Sequence, residues 1–357
     1  MHAYTERICL IQLTTAGPEG LRDTIVDPLA LDLAPLGEVL ADASVQKVMH
    51  GADYDVLCFK RGHGFSVANL FDTMLAERVL GRSRYGLGAL LDEHFGFAAD
   101  KSMQRFDWGR RPLPAHAVDY ARYDTHFLLA LADLQRHALL EADRLEDHTH
   151  ACERQTRVEP RVRPFDSTAF WKIKGAKGLE EPGAAVLHRL FVLRNEIAAE
   201  MDRPVFRVAA DGTLLELARQ SPKDHAALAR VLGKARAIHP RVRRSKADAI
   251  LEAIAAGIAD GKAPKAARPE SPPKEVVARF DALRAWRKSV AEARGVEPDI
   301  VLDKGTLMEL AKARPVDREA LLATDLLDAW EQSRYGDGIV ACLAGTKSRG
   351  PKAGRET

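Results

Sequence analysis

Tyr120 and Asp124 stand four residues apart. In a helix that spacing puts both side chains on one face. A phenol and a carboxylate so placed can share a hydrolytic task. The carboxylate holds a metal ion, and the phenol hydrogen-bonds the water that the ion activates. The same spacing also suits a half-buried helical tyrosine beside a surface aspartate. Asp55 is a second candidate, at the start of a predicted helix that comes after the short strand Val45–His50. A carboxylate at a strand-to-helix junction points to the open end of a sheet, where α/β sites form. Capping the helix is the alternative role, and Asp53 fits it equally well.

A third feature is cationic. The run from Lys234 to Lys246 holds Lys234, Arg236, Arg241, Arg243, Arg244 and Lys246, with His239 and no acid. Six cations without a counter-charge favour a phosphate-binding patch over a merely solvated face. A weaker stripe runs from Arg154 to Lys177, diluted by Glu153, Glu159 and Asp166.

The elements that must position these groups fall into two kinds. Residues 1–150 read as mixed α/β. Strand formers fill Ile8–Leu13, Thr24–Pro28 and Val45–His50, with a Gly17-Pro18-Glu19-Gly20 turn joining the first two as a hairpin. Helical spacing marks 54–62, 73–81, 86–95 and one long stretch from Pro114 to about Ala151. Residues 151–178 form a basic connector. From about Leu179 the chain is all-helical and repeats itself. Leu190–Arg194 aligns with Leu283–Arg287, Gly212–Ala218 with Gly305–Ala311, and Pro222 with Pro315, all at one offset of 93 residues. A unit that long is a duplicated domain, not a short solenoid repeat. The copies span 179–260 and 276–345. An Ala/Pro/Lys-rich linker at 261–275 separates them, and a basic tail covers 346–357.

Bulk properties bound the rest. At 357 residues and 46% apolar composition the chain has room for two or three domains. The net charge of +2 is balanced, so any affinity for nucleic acid lies in the local clusters. Cys9, Cys58, Cys152 and Cys342 are scattered, with no CxxC pair, as in a reduced complement. With no apolar run near 18 residues and no leader-like start, the expected location is soluble and cytoplasmic, with no membrane or obligate protein partner.

Three segments together carry a resemblance: His50-Gly51-Ala52-Asp53-Tyr54-Asp55, then Asp100-Lys101-Ser102-Met103-Gln104-Arg105-Phe106-Asp107-Trp108 continuing to Arg111-Pro112-Leu113, then Tyr120-Ala121-Arg122-Tyr123-Asp124. They resemble the ribonuclease D family of 3′→5′ exonucleases, in the tyrosine subclass. Each helical repeat resembles an HRDC domain, and the order of domains is that family's. The resemblance implies an RNase H-like exonuclease domain with a mixed sheet, succeeded by two all-α HRDC bundles. It implies catalytic roles for Asp55, Tyr120 and Asp124, with Asp55 and Asp124 as ligands of two Mg²⁺ or Mn²⁺ ions. It also implies that His50, Lys101, Arg105 and Trp108 line the nucleic acid, Lys101 and Arg105 on phosphates, with Trp108 packing or stacking. Arg241, Arg243, Arg244 and Lys246 would extend that surface. Asp72-Thr73 also matches, in a structural capacity.

One part of the family pattern is not in the chain. In relatives of this sequence style the first strand ends in Asp-Thr-Glu, two of the four metal-binding carboxylates. Here His2 to Gln12 corresponds only to the segment after that strand. The resemblance therefore implies an incomplete two-metal site, impaired activity, and a sheet whose first strand is missing. Either Met1 is an internal methionine of a longer protein, or the chain is a remnant that binds RNA without cutting it. The first is favoured, because losing a central strand costs more than a domain's marginal stability.

The expected function is a metal-dependent 3′→5′ exoribonuclease that trims structured RNA such as tRNA precursors. A non-catalytic RNA-binding protein and a DNA 3′→5′ exonuclease of repair are the alternatives.

Overall fold

The computed structural model describes residues 3–98, 103, 106–160, 164–234, 238–266 and 271–345. Two compact units emerge. One joins Ile8–Pro160 to Glu270–Thr357, and the other joins Met1–Arg7 to Arg161–Pro269.

The nuclease-like part of the first unit opens with the expected hairpin. Strands β1 (Ile11–Gly17) and β2 (Gly20–Val26) run antiparallel with Gly17 opposite Gly20. Gly20 takes a φ of 101°, which a side chain would resist. Next come α1 (Ala34–Ala41), β3 (Lys47–Met49), α2 (Asp53–His63), β4 (Leu70–Asp72), α3 (Thr73–Val79) and α4 (Leu87–Phe95). Strand β4, which the sequence pattern does not reveal, pairs parallel with β3. It is only three residues long and buried on both faces, so it shows no alternation. Both ladder directions are present, in two separate two-stranded pairs.

The single helix expected from Pro114 to Ala151 is three: α5 (Ala115–His126), α6 (Leu128–Glu141) and α7 (Leu145–Thr156). Asp143 turns left-handed at φ 54° between α6 and α7. Phe127 marks the other break, its ring among Phe95, Phe97 and Tyr123. Apolar spacing continues across both breaks, so periodicity alone does not register them. Leu33, Val56, Phe71, Val79 and Leu139 lie in the shared core.

The first helical repeat contains α8 (Gly183–Glu200), α9 (Val205–Val208), α10 (Asp211–Gln220), α11 (His225–Lys234), α12 (Pro240–Ser245) and α13 (Ala247–Asp260). The second contains α14 (Lys274–Arg294), α15 (Pro298–Val301), α16 (Lys304–Ala313), α17 (Arg318–Leu322) and α18 (Ala329–Gly345). The duplication extends to backbone detail. Asp202 and Gly295 are both left-handed, as are Ser221 and Arg314, at the same 93-residue offset. The copies diverge after Pro222 and Pro315, where α17 is half the length of α11. Among the described residues, no helix is long and apolar enough to cross a membrane.

Candidate active site

Asp72 organises the end of β4. Its carboxylate is fully buried. Oδ1 accepts the N–H groups of Gly51 (3.0 Å), Met74 (2.8 Å) and Leu75 (3.2 Å), and Oδ2 accepts that of Ala52 (2.7 Å). One side chain thus caps α3 and fixes the turn from β3 into α2. Gly51 lies in that turn at φ 66°, where a Cβ would stand 2.6 Å from Met74. Asp53 and Asp55, in the first turn of α2 that this turn launches, are both exposed.

Asp55 is exposed to solvent yet loses part of its hydration to the protein around it. Loss of hydration raises its pKa, and the charges of Asp53 and Asp72 push in the same direction. Among the described residues no cation pairs with it.

Helix α5 carries Tyr120 and Asp124 and is tied to the hairpin. Thr125 Oγ1 and Thr14 Oγ1 are 2.8 Å apart, and Thr14 donates to Asp23 at 2.7 Å. His126 Nδ1 meets the other oxygen of Asp23 at 2.8 Å. Burial tends to raise the Asp23 pKa, but these two hydrogen bonds outweigh it and the carboxyl is held low. Asp124 differs. Burial alone pushes its pKa up to about 6, and no described cation offsets it. A carboxylate disfavoured in its charged form, with no partner, gains most from an added cation.

Tyr120 is half-buried. Its ring stacks on that of Trp108, with centroids 6.1 Å apart and planes at 30°. Trp108 also meets Phe106 edge-on at 5.1 Å. Arg111 secures this loop. It spans both oxygens of Asp27 at 2.6 Å each and donates to the carbonyls of Cys9 (2.7 Å) and Trp108 (2.8 Å).

His50 sits half-buried beside the start of α3. Nδ1 meets Thr73 Oγ1 at 2.9 Å, Nε2 is buried without a hydrogen bond, and burial lowers the pKa. Lys101 and Arg105 lie outside the described residues.

In the other unit, Val242 anchors the short helix α12 while Arg241, Arg243 and Arg244 are exposed. Lys246 is half-buried and pairs with Glu200 at 2.6 Å. The stretch from Lys234 to Lys246 contains no acid of its own, because Glu200 comes from α8. Lys234's side chain and Arg236 lie outside the described residues. In the connector stripe, Arg154 and Arg157 approach Glu331 (3.5 Å) and Asp328 (3.0 Å) of the second repeat.

Known proteins resemble this chain in sequence and fold. Residues 1–137 match the 3′-5′ exonuclease family, and residues 183–254 and 277–343 each match the HRDC domain. The chain is 32% identical to ribonuclease D of Pseudomonas paraeruginosa over 337 residues, which cover 91% of this chain and 85% of that one. It is also 32% identical to protein RRP6-like 2 of Arabidopsis thaliana over 261 residues. That match covers 69% of this chain but spans only 29% of the plant protein. The crystal structure of Escherichia coli RNase D, an exoribonuclease involved in structured RNA processing, superposes with a TM-score of 0.58. The match covers 96% of this chain and 90% of that one, and its 22% identity speaks to the fold alone. The fold is an RNase H-like exonuclease domain with two HRDC bundles, and the chain belongs to the ribonuclease D family of metal-dependent 3′→5′ exoribonucleases.

Proposed function

We propose that this chain removes nucleotides from the 3′ ends of structured RNA, such as tRNA precursors, at a site built from Asp55, Tyr120 and Asp124. The observation that carries this is Asp124, an uncompensated carboxylate one helical turn from Tyr120 and held near pKa 6 by burial. Asp55, also raised and uncompensated, is the second such group.

Hard carboxylate oxygens without a resident cation suit Mg²⁺ or Mn²⁺. Asp55 and Asp124 would hold the metal. The charge of such an ion would make water nucleophilic and would steady the departing ribose oxygen. The Tyr120 hydroxyl would orient the attacking water. Trp108 holds that phenol in place through the ring stack, and Arg111 holds Trp108. Arg241, Arg243 and Arg244 would take RNA phosphates, a contact that reads charge and not sequence.

The test uses the full chain with a 5′-labelled RNA and a DNA strand of matched sequence, in Mg²⁺ or Mn²⁺. Slow stepwise shortening of the RNA from its 3′ end, as a chain lacking the Asp-Thr-Glu pair implies, is expected, abolished by chelator and by Asp124→Asn. Equal or faster loss of the DNA would overturn the RNA assignment. Binding of RNA without any shortening would overturn the hydrolytic one.

A further inference from the structure

We infer that His150, Asp328 and Glu331 form a binding site for one divalent transition-metal ion, zinc by its donor chemistry, where α7 of the nuclease domain meets the start of α18.

The local sequence sets up the carboxylates. Asp328-Ala329-Trp330-Glu331 is a reciprocal helix cap. Asp328 Oδ1 accepts the Glu331 N–H at 3.0 Å, and Glu331 Oε2 accepts the Asp328 N–H at 3.2 Å. Each carboxylate therefore spends one oxygen on the cap and turns the other toward His150. Asp328 Oδ2 lies 3.4 Å from Nδ1, and Glu331 Oε1 lies 3.4 Å from Nε2.

Those separations exceed the usual N–H···O range of about 2.7–3.2 Å. One ion takes one ring nitrogen, so only the carboxylate facing that nitrogen stands at the roughly 3.4 Å edge of a tetrahedron with metal–ligand bonds of about 2.0–2.1 Å, and the other carboxylate would swing inward to join it. One ligand atom from each residue lies within 4.8 Å of the other two. Among the described residues this is the one such three-ligand group.

Burial supplies an independent observation. His150 is 7% exposed and Glu331 6%, and the Nε2 atom of His150 has no hydrogen-bond partner. Trp330 stacks on the imidazole at 4.2 Å and 19°, which fixes its plane. Asp328 is partly exposed, giving an ion access and leaving a coordination position open to water. One imidazole with two carboxylates suits zinc, whereas magnesium takes oxygen ligands.

Two guanidinium groups compete for the same oxygens. Arg154 Nη1 lies 3.5 Å from Glu331 Oε1, and its Nη2 is held by the Asp299 carbonyl at 3.0 Å. Arg157 lies 3.0 Å from Asp328 Oδ2, is exposed, and has Glu153 as a second partner at 3.2 Å. Arg157 can therefore yield to an ion. The rival account is a doubly protonated His150 sharing its two protons between the carboxylates.

The full chain, stripped by chelator and held in excess magnesium to fill carboxylate-only sites, would be titrated with zinc by calorimetry. A single tight zinc component is expected. Glu331→Gln and His150→Gln should weaken it by more than about tenfold, whereas Arg157→Gln should tighten it. Cobalt in place of zinc should give strong visible absorption from a low-coordinate nitrogen–oxygen site, and Glu331→Gln should remove it. Arg157→Gln alters only an exposed side chain, so that arm reads out even if the buried variants misfold. No tight zinc component in the unsubstituted chain, or one unchanged by both Glu331→Gln and Arg157→Gln, would overturn the assignment and leave His150 an imidazolium between two acids.

Discussion

Asp72 Oδ2 accepts the Ala52 N–H at 2.7 Å, which joins the end of β4 to the turn that launches α2. Asp55 lies three residues beyond Ala52, so its position depends on this bond. The same carboxylate caps α3 through Met74 and Leu75. Asp72→Ala would leave buried amides unpaired on two elements at once. The expected loss is roughly 3 kcal/mol, from one lost cap and the amides it strands. Urea unfolding would measure it. A loss below about 1 kcal/mol, the usual scale of a single hydrogen bond, would mean that water replaces the carboxylate there.

Asp124 sets a pH dependence with an unusual sign. Its folded pKa is about 6 against an ordinary 3.8, so between those values the native chain holds more protons than the unfolded one. Its contribution therefore falls as pH rises from about 4 to about 6, then stays level. Aspartates held low, such as Asp23 and Asp27, act in the opposite direction as pH drops. Comparing the metal-free chain with Asp124→Asn isolates the one group. The variant should match the parent near pH 4 and be the more stable near neutrality. Magnesium should narrow that gap by stabilising only the parent. A pH-independent difference between the two would refute the assignment.

Tyr120→Phe removes a hydroxyl and keeps the ring that stacks on Trp108. Turnover should fall by roughly 10²-fold, as for loss of a proton-handling group. RNA affinity should change little, because the hydroxyl acts on water and not on the bound strand. Trp108→Ala should lower turnover by freeing the phenol, and the further Tyr120→Phe change should then cost less than it does alone. Single-turnover rates and equilibrium binding on the four chains would decide this. Full additivity would separate the two residues.

Spacing alone places Tyr120 and Asp124 on one helical face, and a strand-to-helix junction marks Asp55. Local chemistry is legible because local geometry is short-range. The long stretch after Pro114 misleads, since its breaks at Phe127 and Asp143 depend on tertiary packing and one left-handed residue. The Asp328–Glu331 cap is a readable four-residue pattern, yet nothing in it announces that His150 from another domain lies between its outer oxygens. Likewise the run from Lys234 to Lys246 looks free of acid until α8 brings Glu200 to Lys246.

That last contact refines what the basic patch should do. Arg241, Arg243 and Arg244 are exposed on α12, whereas Lys246 is bound to Glu200 and depresses that carboxyl's pKa, first by its hydrogen bond and then by its charge. A cation already neutralised releases few counterions when it meets a phosphate. Replacing the three arginines with alanine should flatten the salt dependence of RNA binding by roughly one unit of slope for each lost phosphate contact. Lys246→Ala should change the slope much less, and Glu200→Gln should steepen it by freeing the lysine. The losses should be alike across RNA sequences, because phosphate contacts carry no base information. Cleavage of a short oligonucleotide confined to the nuclease domain should barely change. Binding slopes measured over a salt series would test this, and an unchanged slope in the triple-arginine variant would make α12 a solvated face with no part in holding RNA.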